Sequence, residues 1–246
     1  MTRTIDTATL EDAIVRNGAP TLDGIKPASL FTFPGTFLAG EDATDLERAA
    51  AHGRRVALLR AMARCRDHLK GTGVRLRVLV WRGCGALIYL YRPALLTAYL
   101  SDPRAAVPLQ RAGYPVHDAS ACLDLLAARI ALRGKHATIA RGARADAERN
   151  RTVHGSATEA ANAGKPCAQR CEFPHELGFF LGYPYADVTG FIEHGGKGFI
   201  LMGPWKVYQD RAGALAQFER MRASTKRCSE RYRHGTRLEE LAARIA

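Results

Sequence analysis

The chain is short of lysine. Of its 36 Lys and Arg residues, only seven are lysine, at positions 26, 70, 135, 165, 197, 206 and 226. Long apolar runs are also missing. No stretch approaches the roughly 18 residues that a helix needs to cross a bilayer, so no membrane partner is expected. The opening residues MTRTIDTATLEDAIVR carry acids and no apolar core of a signal peptide, which predicts a cytoplasmic protein. The six cysteines are scattered and read as thiols rather than a disulfide framework. The sequence has no phosphate-loop or dinucleotide glycine fingerprint, no Gly-x-Ser-x-Gly elbow, and no convincing Ser/His/Asp or Cys/His set. These absences leave it naming no reaction.

What is present suits one globular domain. The chain has 246 residues, 47% of them hydrophobic, enough for a sizeable core. Its formal net charge is +12, which raises the question of a nucleic-acid partner. The distribution argues against that partner as the leading reading. Residues 133–170 carry +5 and residues 220–237 carry +6, leaving +1 for the rest. The first stretch is rich in Ala, Gly and Arg and poor in large apolar residues. It reads as a linker or insertion separating two parts, 8–132 and 171–246, of one domain.

Periodicity supplies the elements. Residues 8–16 predict a short first helix, and the Pro- and Gly-rich residues 17–35 an ordered loop. Thr44 and Glu47 match a capping box. The helix they open carries Leu58, Leu59, Met62, Cys65 and Leu69 on one face and stops at Gly71-Thr72-Gly73. Residues 74–91, VRLRVLVWRGCGALIYLY, predict a β-hairpin with one buried face. Helices follow at PALLTAYLSD and ASACLDLLAARIALR. CEFPHELGFFLG and DVTGFIEH read as two more, and GFILMGPWKVYQD has strand character at both ends. Residues 211–233 predict a long helix with Leu215, Phe218, Met221, Thr225, Cys228 and Tyr232 inside, and TRLEELAARIA a short last one. The expectation is a helix-rich α+β domain with a small antiparallel sheet built on the hairpin. Gly-Tyr-Pro-x-x-Asp occurs twice, at Gly113–Asp118 and Gly182–Asp187. Glycine at a helix end, then proline, then an acid near the next helix start predicts a structural corner.

Four segments, APTLDGIKPASLF, the hairpin ending YLYRP, EFPHELGFFLGYPYADVTGFIEHGGKG and PWKVYQD, resemble the bacterial DUF3793 family, a domain of unknown function. The likeness runs from about residue 17 to about residue 242 and is most specific between Glu172 and Tyr208. It implies a bacterial cytoplasmic protein and no particular reaction. Family members often carry a cysteine where this chain has Gly18 and another where it has Met202.

Against the arginine-rich background, Lys26, Lys197 and Lys206 fall in motif-like segments. Lysine is a compact charge whose pKa burial can lower. Beside glycines that let backbone N–H groups approach, it suits a phosphate or carboxylate. The expected pocket joins the PTLDGIKPAS loop, the start of the PHELG helix and the HGGKG loop. Thr21, Lys26, Ser29, Lys197, Lys206 and Tyr208 are its candidate ligand-binding residues, for a small anionic ligand. His175 is the candidate for proton transfer, and whether the protein is an enzyme stays open. In WKVY, Trp205 and Val207 are expected in the core, with Lys206 and Tyr208 on the other face. Cys167, Cys171 and His175 are spaced by four, but a fourth ligand is lacking and Pro174 interrupts a shared helix, so no metal site is expected. A nucleic-acid-associated protein using the basic segments, and a ligand-free interaction or regulatory protein, are the alternative readings.

Overall fold

The computed structural model describes residues 5–132 and 174–242. The fold is α+β. A three-stranded antiparallel sheet, in the order β1-β3-β2, is built from β1 (Ala28–Pro34), β2 (Arg75–Arg82) and β3 (Gly85–Tyr91). Helices α1 (Thr7–Leu22), α2 (Asp45–His68), α8 (Arg211–Arg233) and α9 (Leu238–Leu241) cover one face. Helices α3 (Pro93–Ser101), α4 (Pro103–Arg111), α5 (residues 119–132), α6 (Leu177–Phe180) and α7 (Tyr185–Glu193) cover the other. A two-stranded ribbon, β4 (Leu201–Met202) and β5 (Lys206–Val207), leads into α8.

The central strand explains this layering. In GALIYLY every residue but the last is buried. Ala86, Ile88 and Leu90 point into one core and Leu87 and Tyr89 into the other. A strand so apolar on both sides must be covered on both sides. Each fully buried Leu or Ile contributes about 1.5–3 kcal/mol relative to its exposed state. The hairpin thus buries both faces, not the single face expected from its alternation. A bulge between Val78 and Val80 accounts for the misleading pattern on β2. It shifts the phase, so Leu76 joins the α1/α2 core while Val80 joins the opposite one.

Two elements differ from the expected loop over 17–35. The first helix continues to Leu22, with Pro20 in its last turn. Proline there forfeits one amide bond, but its carbonyl accepts from the amides of Ile25 (2.8 Å) and Lys26 (3.2 Å), which fastens the turn that follows. That turn feeds β1, whose Phe31 and Phe33 are buried and which pairs with β3 from Ala28↔Tyr91 to Pro34↔Gly85. Arg92, 3% exposed, holds the same corner: its guanidinium donates to the carbonyls of Thr21 (2.7 Å), Leu22 and Thr72 (3.1 Å).

The capping box at Thr44 and Glu47 is formed in both directions. The long helix over 211–233 has the expected bounds. Two residues assigned to buried stripes are instead exposed, Leu59 and Leu215, while Ala214 and Ser224 lie inside on α8. The helix α4, with Pro108 within it, was not expected. The segment 133–170, read as a linker or insertion, lies outside the described residues.

Both Gly-Tyr-Pro corners form. Gly113 (φ 79°) and Gly182 (φ 67°) take the left-handed conformation that ends a helix. They differ in surroundings: a Cβ on Gly182 would collide with the Pro27 ring, whereas on Gly113 it would only approach Arg129 Nη2 at 3.6 Å. Gly113→Ala is therefore expected to cost about 1–2 kcal/mol, the left-handed penalty alone. Gly182→Ala should cost at least about 2 kcal/mol more, because overpacking adds to strain. Urea midpoints of the two variants check this ordering, and equal losses would refute the Pro27 contact.

Candidate functional site

The site forms where the chain reverses after α6. Gly182 ends that helix, and Tyr183 and Pro184 lead into α7. The carboxylate of Asp187, on the first turn of α7, is 5% exposed. One oxygen accepts from Trp205 Nε1 at 2.7 Å and the other from the Tyr208 amide at 2.8 Å. These charge-assisted bonds tie the β4–β5 ribbon to α7. Trp205 also stacks on Tyr183 (5.0 Å between ring centroids) and meets Phe218 of α8 edge-on. Val207, Ala214 and Met221 complete a small core beneath.

Between α6, α7 and the ribbon lies a cleft of ≈ 620 Å³. Leu177, Leu181, Val188, Phe191, Met202, Pro204 and Trp205 give it apolar walls, and Gly178 packs against the Val188 side chain. Polar chemistry comes from His175, Asp187 and Lys206. His175 sits in the turn before α6, not on a helix, and its ring lies edge-on to Phe191 at 5.4 Å. Lys206 Nζ donates to the Gly196 carbonyl at 2.6 Å and lies over the rings of Phe199 (4.8 Å) and Phe191 (5.6 Å). Among the described residues it has no carboxylate partner. The HGGKG loop is therefore pinned by Lys206, and a Cβ on Gly196 would meet Phe191 at 2.9 Å and Lys206 Nζ at 3.3 Å.

The candidate residues do not all converge. His175 and Lys206 line the cleft. Tyr208 does not line it: its amide donates to Asp187, and its ring packs on Gly190 and stacks on His194. Lys197 is exposed on the glycine loop, its amide donating to the His194 carbonyl. Thr21 and Ser29 are buried in the core and hydrogen-bonded to each other at 2.8 Å, away from the cleft. Lys26 lies behind the wall, 5.1 Å from the Tyr183 ring centroid. Trp205 and Val207 are in the core as expected. Cys167 and Cys171 lie outside the described residues, and among the described residues no group of three or more His, Cys, Asp and Glu side chains is placed to hold a metal.

Asp187 was missed. The repeated motif held the clue, because its two acids do different work. Asp118 caps α5 by accepting from the amides of Ser120 (2.8 Å) and Ala121 (3.1 Å). Asp187 instead reaches across to the ribbon. Only a buried indole N–H eighteen residues later distinguishes the second acid from the first.

Two outcomes follow. Asp187→Asn keeps one carbonyl acceptor and turns the other oxygen into a donor facing a donor. It should cost about 2–3 kcal/mol and shift Trp205 emission to the red. Equilibrium urea unfolding monitored by fluorescence checks it, and an unchanged midpoint would remove Asp187 from its central place. The second concerns Lys26, whose amine burial pushes down to about 8 from the ordinary 10.5. The folded protein holds this proton less tightly than the unfolded chain, so the charged amine penalises folding in full below pH 8. The penalty is relieved as pH rises from 8 towards 10.5. Stability of the parent protein should gain on that of Lys26→Met by about 2 kcal/mol between pH 7.5 and 10. A pH-independent difference would show an amine that is not desolvated.

The comparison with curated proteins returned no match, and neither did that with solved structures. A family profile described as "Protein of unknown function (DUF3793)" matches residues 14–135 and 158–242. The match includes every element that builds the cleft and passes over 136–157, within the basic 133–170 stretch. Of the two positions where the resemblance places cysteines, Met202 lies on the cleft wall, and Gly18 is packed so closely on Leu90 that a Cβ would collide with it. With most of its length matched, the chain belongs to the DUF3793 family.

Proposed function

We propose that the chain binds a small molecule with an apolar body and one anionic group, in the cleft between α6, α7 and the β4–β5 ribbon. The observation that carries this reading is the combination of apolar walls with a lysine that has no carboxylate partner among the described residues, in a cleft of ≈ 620 Å³. Small-molecule sites have this size and this mixture of apolar lining and few polar groups. The apolar body packs between Leu181, Val188 and Trp205, and the anion faces Lys206. Phe191 and Phe199 already hold that ammonium in place, so little side-chain entropy is lost on binding. If the ligand reacts, the proton acceptor is His175, the imidazole at the rim. His175 is exposed. No helix among the described residues is long and apolar enough to cross a membrane, which is in keeping with a ligand met in water.

The test uses 8-anilinonaphthalene-1-sulfonate, an apolar fluorophore with one anionic group. Saturable one-to-one binding to the folded protein is expected. Lys206→Met should weaken it about five- to tenfold, corresponding to the loss of one charge-assisted contact. Lys206→Arg, which keeps the charge while altering the bond to Gly196, should retain most of the affinity. Circular dichroism confirms that each variant is folded. Equal affinity in the Met and parent proteins would refute the placement of the anion.

A further inference from the structure

A second cavity lies at the end of the molecule's main sheet, where α2 ends and β2 begins. Its volume is ≈ 610 Å³, and it shares no lining residue with the cleft described above. Leu69, Val74 and Leu76 form its apolar floor, and Tyr91, half-buried at the end of the central strand, borders it while its ring packs against Tyr89 on the opposite face of the sheet. Three cations surround it: Arg66, Lys70 and Arg75. No acidic residue lines it, and none of the three has a carboxylate partner among the described residues.

The charges are not explained by the fold alone. Basic residues at the end of a helix offset its dipole, but that dipole amounts to about half a negative charge. Three full positive charges exceed it several-fold. Beneath them, the buried Arg92 guanidinium donates to the Thr72 carbonyl at 3.1 Å. Glu11 is engaged with His68, Asp124 with Arg77 and Asp23 with Arg227, and Asp67, next to Arg66 on α2, does not line the cavity. Arg66 is positioned in advance, its Nε donating to the Leu76 carbonyl at 3.0 Å, which leaves the far edge of its guanidinium for a second partner. Lys70, in the turn after α2, and Arg75, at the start of β2, are exposed. Cations that converge on a concavity without an acid among them attract a multiply charged anion, because like charges so grouped repel until one is bound. The apolar floor suits the organic portion of a small molecule.

We propose that this pocket is an anion site for a phosphate-bearing small molecule, with Arg66, Lys70 and Arg75 as the phosphate contacts and the Leu69, Val74 and Leu76 floor facing the organic portion. The assignment is independent of the cleft's function.

The experiment is titration of the full chain with pyrophosphate and, separately, with AMP, followed by amide NMR at 50 mM salt. Saturable shifts are expected for residues 69–76 with both probes. Lys70→Gln combined with Arg75→Gln should weaken both at least about tenfold, and both side chains are exposed, so the fold should survive. Raising the salt to 300 mM should weaken binding several-fold. The proposal is overturned if neither probe gives saturable shifts, or if the double variant binds as well as the parent. It is equally overturned if the shifts map to the basic face of α8, which would mark general attraction to a positive surface.

Discussion

The fold rests on one strand with no exposed face. Because GALIYLY is apolar on both sides, the sheet can be stable only between two helical layers. The chain therefore has to return helices to each face from both its halves. The α1/α2 layer is completed by α8, more than 130 residues after α2, and the opposite layer by α6 and α7. The sheet edges are handled differently. One carries β1, tied back by Arg92 to the carbonyls at the end of α1. The other carries β2, whose bulge redirects Val80 to the second layer, whose Arg75 is exposed and whose Arg77 pairs with Asp124 of α5. Arg92 is a buried charge made tolerable by three carbonyl partners, and it lies where α1, the α2–β2 turn and the β3–α3 junction meet.

The candidate site hangs on this frame through a second, smaller interaction. The Asp187 carboxylate joins an indole and an amide of the ribbon to α7, and the cleft is the space left between them and α6. Its chemistry comes from residues already committed to structure. Lys206 pins a glycine loop and presents its charge to the cleft, and Trp205 is both core and wall. Such double employment leaves few ways to alter the pocket without altering the ribbon.

How much of this could be read from residues alone depended on the range of the interactions. The capping box at Thr44, the length of α8 and the glycine corners were legible because they are set by neighbours in sequence. Strand β1 was hidden because prolines and glycines flank it on both sides, and its partner lies over fifty residues away. The two-sided burial of the hairpin was obscured by arginines on an edge strand that alternate with apolar residues. Of the site residues, Lys206 and His175 were legible by their scarcity and their motif. Thr21 and Ser29 have polar side chains that satisfy each other inside the core, and no one-dimensional pattern separates that from a ligand contact. Asp187 was concealed by a motif that makes it look like a cap.

All residues lining the cleft fall between Pro174 and Lys206, whereas the sheet is closed by pairing Ala28 with Tyr91. Bringing Asp187 to Trp205 closes a loop of 18 residues, against 63 for that strand pair. The difference in chain entropy is about 1 kcal/mol. The cleft is thus a region of low contact order set on a frame of high contact order. The contacts that join its ribbon to α7 do not involve the strand pairing, so the region is of the kind that opens locally without unfolding of the domain.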